Sequence, residues 1–210
     1  MSDEAKDLLC NRALSFLGEP MAAPFAGNGT SIRDAQCRAH YDAARDEVLT
    51  HHRWDFATAL FPLALLDPQP ATVPAHFPKA YELPEDMLRF HEVRLSTGYI
   101  LEHFTLMGSY LFAESATLEG NIIYTSSTIE PEAMSAIARE CVTYALAIRI
   151  GESLTNDPSK VEQMRGHLAQ AFQRAITTDS RQTGSNENMD PLTLARRCGT
   201  YRARYYGFSR

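Results

Sequence analysis

"YILEHFTLMGSYLFAESATLEGNIIYT", residues 99–125, decides the fold. It holds three short runs rich in aromatic and β-branched residues, broken at Gly108–Ser109 and at Glu119–Gly120, which is the pattern of short strands joined by tight turns. The stretch lies within a longer region, Leu60 to Ile129, in which Pro62, Pro68, Pro70, Pro74, Pro78 and Pro84 forbid a long helix. Helical periodicity flanks that region on both sides, so an antiparallel β subdomain is inserted into a helical protein.

On the N-terminal side, Ala5, Leu9, Ala13, Phe16 and Leu17 recur at helical spacing from about Asp3 to Leu17. Gly18 is placed as the C-terminal stop and Pro20 prevents continuation. A second helix starts near Ser31, whose hydroxyl can cap, with Asp34 in the first turn. Its inner face reads Cys37, Tyr41, Ala44, Val48 and His51, and it ends around His52 to Trp54. On the C-terminal side a third helix opens at Glu130 and Pro131, a residue tolerated at the first helical position, and carries Ile137, Cys141, Tyr144, Ile148 and Gly151 inward. A fourth begins at Asp157 and Pro158 and carries Val161, Met164, Leu168, Phe172 and Ile176 inward.

The sequence therefore predicts an α+β fold. It is mainly an α-helical bundle, residues 1–59 and 130–183, with a small antiparallel β subdomain inserted at 60–129 and an extended C-terminal tail at 184–210. The tail opens with a polar linker, "TGSNENMDP". Its last part, "LTLARRCGTYRARYYGFSR", interleaves Arg196, Arg197, Arg202 and Arg204 with Tyr201, Tyr205, Tyr206 and Phe208, and has too few aliphatic residues for a core.

With 210 residues, 44% of them hydrophobic and 22% charged, the chain can bury one sizeable core. The formal net charge of −6 argues against a broad basic face that grips nucleic acid. The charge is unevenly spread: residues 191–210 hold five arginines and no carboxylate, which leaves −11 on residues 1–190. Cys10, Cys37, Cys141 and Cys198 have no ligand-like or redox spacing, so reduced thiols are expected. The start, MSDEAKDLL, has no leader pattern, and Arg139, Glu140 and Arg149 interrupt the most apolar helix. These features predict a soluble chain made in a cytoplasm, with no membrane association.

Little in the sequence carries chemistry. His51 and His52 in "HHRWDF" point about 100° apart on a helix, and only Glu47 has the spacing to share an ion with His51, so no metal site is expected. Trp54 and Phe56 read as aromatic anchors that staple the insertion to the helices. Glu82, Glu85 and Asp86 in "YELPEDMLRFHEV" flank a proline and read as a solvated turn, not as a hydrolytic carboxylate pair. Ser15, Cys37 and Cys141 lie in no nucleophile signature, and "GNGTS" at 27–31 lacks the strand and lysine of a phosphate loop. No catalytic residue, cofactor or metal is predicted, and the chain does not read as an enzyme.

Taken in order, "LCNRALSFLGEP", "YDAARDEVLTHHRWDFA", "YELPEDMLRFHEV", "EGNIIYT" and the two closing helices resemble the tail tubular protein A family of short-tailed phages and the related head-to-tail adaptors of other tailed phages and gene transfer agents. The match in order extends over residues 8–180. The L-G-E-P element falls on Leu17, Gly18, Glu19 and Pro20, the W-x-F element on Trp54 and Phe56, and the Y-x-L-P-x-D element on Tyr81, Leu83, Pro84 and Asp86, all as structural positions.

The resemblance implies a structural virion protein of the tail or neck, assembled in the host cytoplasm. Its copies would form a twelve-membered ring between the portal protein and a downstream tail or nozzle protein, with DNA passing through the lumen without specific binding. Residues 1–183 would be the adaptor domain, and Arg196, Arg197, Tyr201, Arg202, Arg204, Tyr205, Tyr206 and Phe208 would reach onto the portal. Two other functions stay open on the sequence, a tail-associated peptidoglycan hydrolase and a nucleic-acid-binding regulator acting through the arginines. The small-residue loop after Gly18 likewise has two readings, an assembly joint against a neighbouring subunit or a plain interior turn.

Overall fold

The computed structural model describes residues 2–27, 29–155 and 157–183. The chain divides into two units, Met1–Ile176 and Thr177–Arg210; the fold described here is that of the first. It is a mixed α and β structure with four helices and two small antiparallel sheets. The linker and tail expected at 184–210 lie outside the described residues.

Helix α1 (Ser2–Leu17) ends where Gly18 takes φ 79°, a left-handed conformation that suits a residue without a β-carbon. The Gly18 amide donates to the Ser15 carbonyl and the Glu19 amide to the Leu14 carbonyl at 2.9 Å, the paired bonds of a Schellman stop. Helix α2 (Ile32–His51) opens with a reciprocal cap: the Ser31 hydroxyl accepts from the Asp34 amide, and the Asp34 carboxylate accepts from the Ser31 amide. Helix α3 (Ala136–Leu154) begins five residues later than Pro131 suggests. Pro131 sits in a preceding turn, and Ser135 caps the helix by accepting from the Ala138 amide. Helix α4 (Pro158–Thr183) starts at its proline, with Asp157 accepting from the Ser159 amide.

The four helices share one apolar core that includes Leu14, Leu17, Tyr41, Val48, Leu146, Ile150, Met164 and Phe172. Three inner faces differ in detail from the sequence reading. In α1, Cys10 and Leu14 are buried, while Phe16 is 39% exposed and stacks on Tyr144. In α2, Leu49 is buried; His51 is exposed and lies against the Phe172 ring at 4.1 Å between centroids. In α3 the centre of the face is Ala138, Cys141, Val142, Ala145, Leu146 and Ile150, and the larger Ile137, Tyr144 and Ile148 flank it half-buried. Small residues let the helices approach, so the centre line of α3 runs through its alanines and not through its bulkiest side chains.

The insertion is larger and more ordered than three runs suggest. After a 3-10 turn at Asp55–Ala57, six strands follow: β1 (Thr58–Pro62), β2 (Lys79–Glu82), β3 (Met87–Leu95), β4 (Phe104–Met107), β5 (Tyr110–Ala113) and β6 (Gly120–Ser126). One sheet has the order β1-β6-β3 and the other β2-β5-β4, with every pair antiparallel. β2 thus lies within the proline-rich segment, β1 begins at Thr58 and runs into it, and β3 follows it. The segment's prolines fall at the end of β1, in the connection to β2 and in the turn before β3, where they take nothing from a ladder. Both sheets contribute to a second core, with Tyr81, Leu111, Val93, Ile122 and Tyr124 buried together. At Gly120 a β-carbon would lie 2.3 Å from the Arg94 carbonyl oxygen, so the close approach of β6 to β3 requires glycine.

Candidate assembly interface

The loop between α1 and α2 is held from within by side chains of both helices. Asp7 of α1 accepts from the backbone amides of Phe25 (2.9 Å) and Ala26 (3.0 Å), and Asn11 accepts from that of Ala22 (2.8 Å). Asp34 of α2 accepts from the Ala23 amide, while Arg38 donates to the carbonyls of Pro24 and Gly29. Glu19 pairs with Arg33 at 3.3 Å, and Lys160 of α4 donates to the Leu17 carbonyl at 2.8 Å. Asp7 and Asp34 are both buried, and their charge is spent on amides that no regular element satisfies. The Ser31 hydroxyl, then the backbone amides of Ser31 and Ala23 and the charge of Arg38, hold the Asp34 carboxyl below its ordinary value against the opposing effect of burial.

The loop that follows L-G-E-P is therefore an internal strap anchored on α1 and α2, and L-G-E-P, which leads into it, is tied to α2 through Glu19 and to α4 through the Leu17 carbonyl. Pro24 is buried, whereas Met21 projects into solvent, so an outer face of the loop stays open. The anchors Asp7, Asn11 and Arg38 were not legible as such in the sequence. In the sequence Asp34 is legible only as a carboxylate in the first turn of α2, because its bond to Ala23 spans a loop.

The W-x-F pair sits at the junction of α2 and β1. Trp54 is buried in the helical core, its indole N–H donates to the Val48 carbonyl at 2.9 Å, and its own carbonyl accepts from the Thr58 hydroxyl. Phe56 packs half-buried beside it, with ring centroids 5.5 Å apart. In the Y-x-L-P-x-D element, Tyr81 is buried and its hydroxyl donates to the Ser115 carbonyl (2.8 Å) and accepts from the Leu118 amide. Leu83 and Pro84 are buried too.

Asp86 corrects the expectation of a solvated turn. It is half-buried and accepts from the hydroxyls of Tyr124 (3.0 Å) and Ser126, while its carbonyl accepts from the Ser127 amide. It pins the start of β3 to the end of β6. Burial, and then the bond to Asp86, push the Tyr124 phenol up to about 12. Glu82 and Glu85 are exposed, so the three carboxylates do not face one another across a cleft.

Glu47 turns to Arg149 at 2.8 Å and leaves His51 to the Phe172 ring. Among the described residues no group of three or more His, Cys, Asp or Glu side chains converges to hold a metal ion. Cys10, Cys37 and Cys141 are buried free thiols. Cys10 of α1 and Cys37 of α2, distant in sequence, lie beside each other in the helical core, and their interaction together with burial raises the Cys10 pKa above the ordinary thiol value. No helix among the described residues is long and apolar enough to cross a membrane.

The tail residues Arg196, Arg197, Tyr201, Arg202, Arg204, Tyr205, Tyr206 and Phe208 lie outside the described residues. No protein-family model matches the chain, and no curated protein matches it.

Proposed function

We propose that the chain is a head-to-tail adaptor, a structural virion protein whose copies form a ring, twelve-membered by resemblance, between the portal protein and a downstream tail protein, with DNA passing through its centre. In this reading residues 1–59 and 130–183 are a helical bundle, 60–129 an inserted β subdomain, and 184–210 a linker and basic aromatic tail that contacts the portal.

The observation that carries the reading is where the motif residues sit. Leu17, Gly18, Glu19 and Pro20 lead into the strap, Trp54 and Phe56 join helix to sheet, and Tyr81 and Asp86 lock strand connections. All occupy joints that fix one element against another, as a rigid building block requires. Charge adds to this: a net charge of −11 on residues 1–190 disfavours holding passing DNA by counterion release.

The test is a mass measurement and negative-stain imaging of the purified chain, alone and with portal protein. Rings in the presence of portal are the expected result. A chain that neither binds portal nor oligomerises with it overturns the proposal.

A further inference from the structure

Three helices contribute one ring each to a stack. Phe16 of α1 lies 5.2 Å from Tyr144 of α3 at an interplanar angle of 22°, and Tyr144 lies 5.6 Å from His167 of α4 at 25°. Beside the first pair, a cavity of about 370 Å³ lies between α1 and α3, walled by Arg12, Phe16, Ala136, Ile137, Glu140 and Tyr144. Arg12, Phe16 and Ala136 are exposed, so the cavity is open to solvent.

Its polar groups are committed, with one exception. The Thr143 hydroxyl, which also lines the cavity, donates to the Arg139 carbonyl at 2.8 Å. The Tyr144 hydroxyl donates to Glu140 at 3.1 Å, and Glu140 pairs as well with Arg174 at 3.1 Å, which offsets its charge. Among the described residues no acceptor lies within reach of the Arg12 guanidinium. Burial, and then the Glu140 bond, raise the Tyr144 phenol, while Arg174 and Arg12 oppose them, so the Arg12 charge is felt at the ring that walls the cavity. A second cavity, lined from α2, α3 and α4, differs in this respect: its Arg149 is paired with Glu47 and its Arg165 with Glu152.

An unpaired guanidinium beside aromatic and aliphatic walls suits one planar anion joined to one apolar side chain, because the guanidinium fork matches a carboxylate and the walls give an apolar group a surface to leave water for. The Thr143 and Tyr144 hydroxyls, already donating, are not free to read the edge of a nucleobase. The volume is at the small end for a ligand cavity and holds a single large side chain with its carboxylate.

We propose that this cavity captures the C-terminal residue of a partner protein chain. That residue is aromatic or branched apolar, its side chain packs on Phe16, Ile137 and Tyr144, and its carboxylate takes the fork of Arg12. The inference goes beyond the adaptor reading and does not depend on it.

The test titrates N-acetylphenylalanine, which carries both groups of such a C-terminus, into the 210-residue chain and follows the isoleucine methyl signals by NMR. A saturable shift of the Ile137 methyl, with the acid binding about tenfold tighter than N-acetylphenylalaninamide, is the expected result. Arg12→Gln should erase that preference, and Phe16→Ala should weaken acid and amide alike; both residues are exposed, so neither change removes a buried side chain. Equal binding of acid and amide by the natural chain overturns the proposal, as does the absence of any saturable shift. Retention of the preference in Arg12→Gln overturns it too. Tighter binding of adenosine monophosphate than of the acid would assign the cavity to a nucleotide and overturn the protein partner.

Discussion

At the scale of single residues, the carboxylates of the strap carry the clearest consequences. Asp7 satisfies two backbone amides at once, so Asp7→Ala should cost about 2 kcal/mol, as expected for orphaned donors that lose a charged acceptor. Urea denaturation measures it, and limited proteolysis should show earlier cleavage within 20–27. Asp34 acts through pH. Its folded-state pKa lies below the unfolded value of about 3.9, so its bonds stabilise the protein fully above that value and are lost as pH falls through the lower folded one. The urea midpoint of the natural chain should drop on acidification below about pH 4, and Asp34→Asn should flatten that part of the curve. Equal acid slopes in the two proteins would remove Asp34 from the account.

At the scale of elements, the sequence was most legible where one residue type forces one geometry. Gly18 and Pro158 mark a helix end and a helix start by their backbone preferences alone, and the turn at Gly108–Ser109 separates β4 from β5 as the pattern predicts. Pro131 misled because proline is equally at home in a turn, and Ser135 four residues on makes the better cap. Strand β3 escaped notice because it packs on both faces, Leu88 against the helical core and Phe90 against the sheet core, with bulges between, which erases period-two alternation. Asp86 was unreadable because its hydroxyl partners lie 38 and 40 residues away. The β3–β6 pair also sets a firm expectation: Gly120→Ala drives a β-carbon into backbone atoms that cannot rotate aside, and should destabilise by about 2–3 kcal/mol in thermal or urea unfolding.

At the scale of the whole molecule, the proposed adaptor role gives the charge two tasks. The body at −11 should keep isolated copies apart until portal protein nucleates a ring, and native mass spectrometry should find mostly monomer without portal and rings with it. Ending the chain after Asp190 removes the five arginines while sparing the buried residues, which among the described residues run from Asp7 to Ala175. Thermal stability should stay within about 1 kcal/mol while portal binding is lost; undiminished binding would leave the arginines and tyrosines without the proposed role. The strap has a last consequence, for the order in which the chain is made. Its bonds to Asp7, Asn11, Asp34 and Arg38 span at most 19 residues, so α1, the loop and α2 can settle while later residues are still inside the ribosome. The carbonyl of Leu17 then waits for Lys160, 143 positions downstream, and its bond forms only after every strand of the insertion has been synthesised.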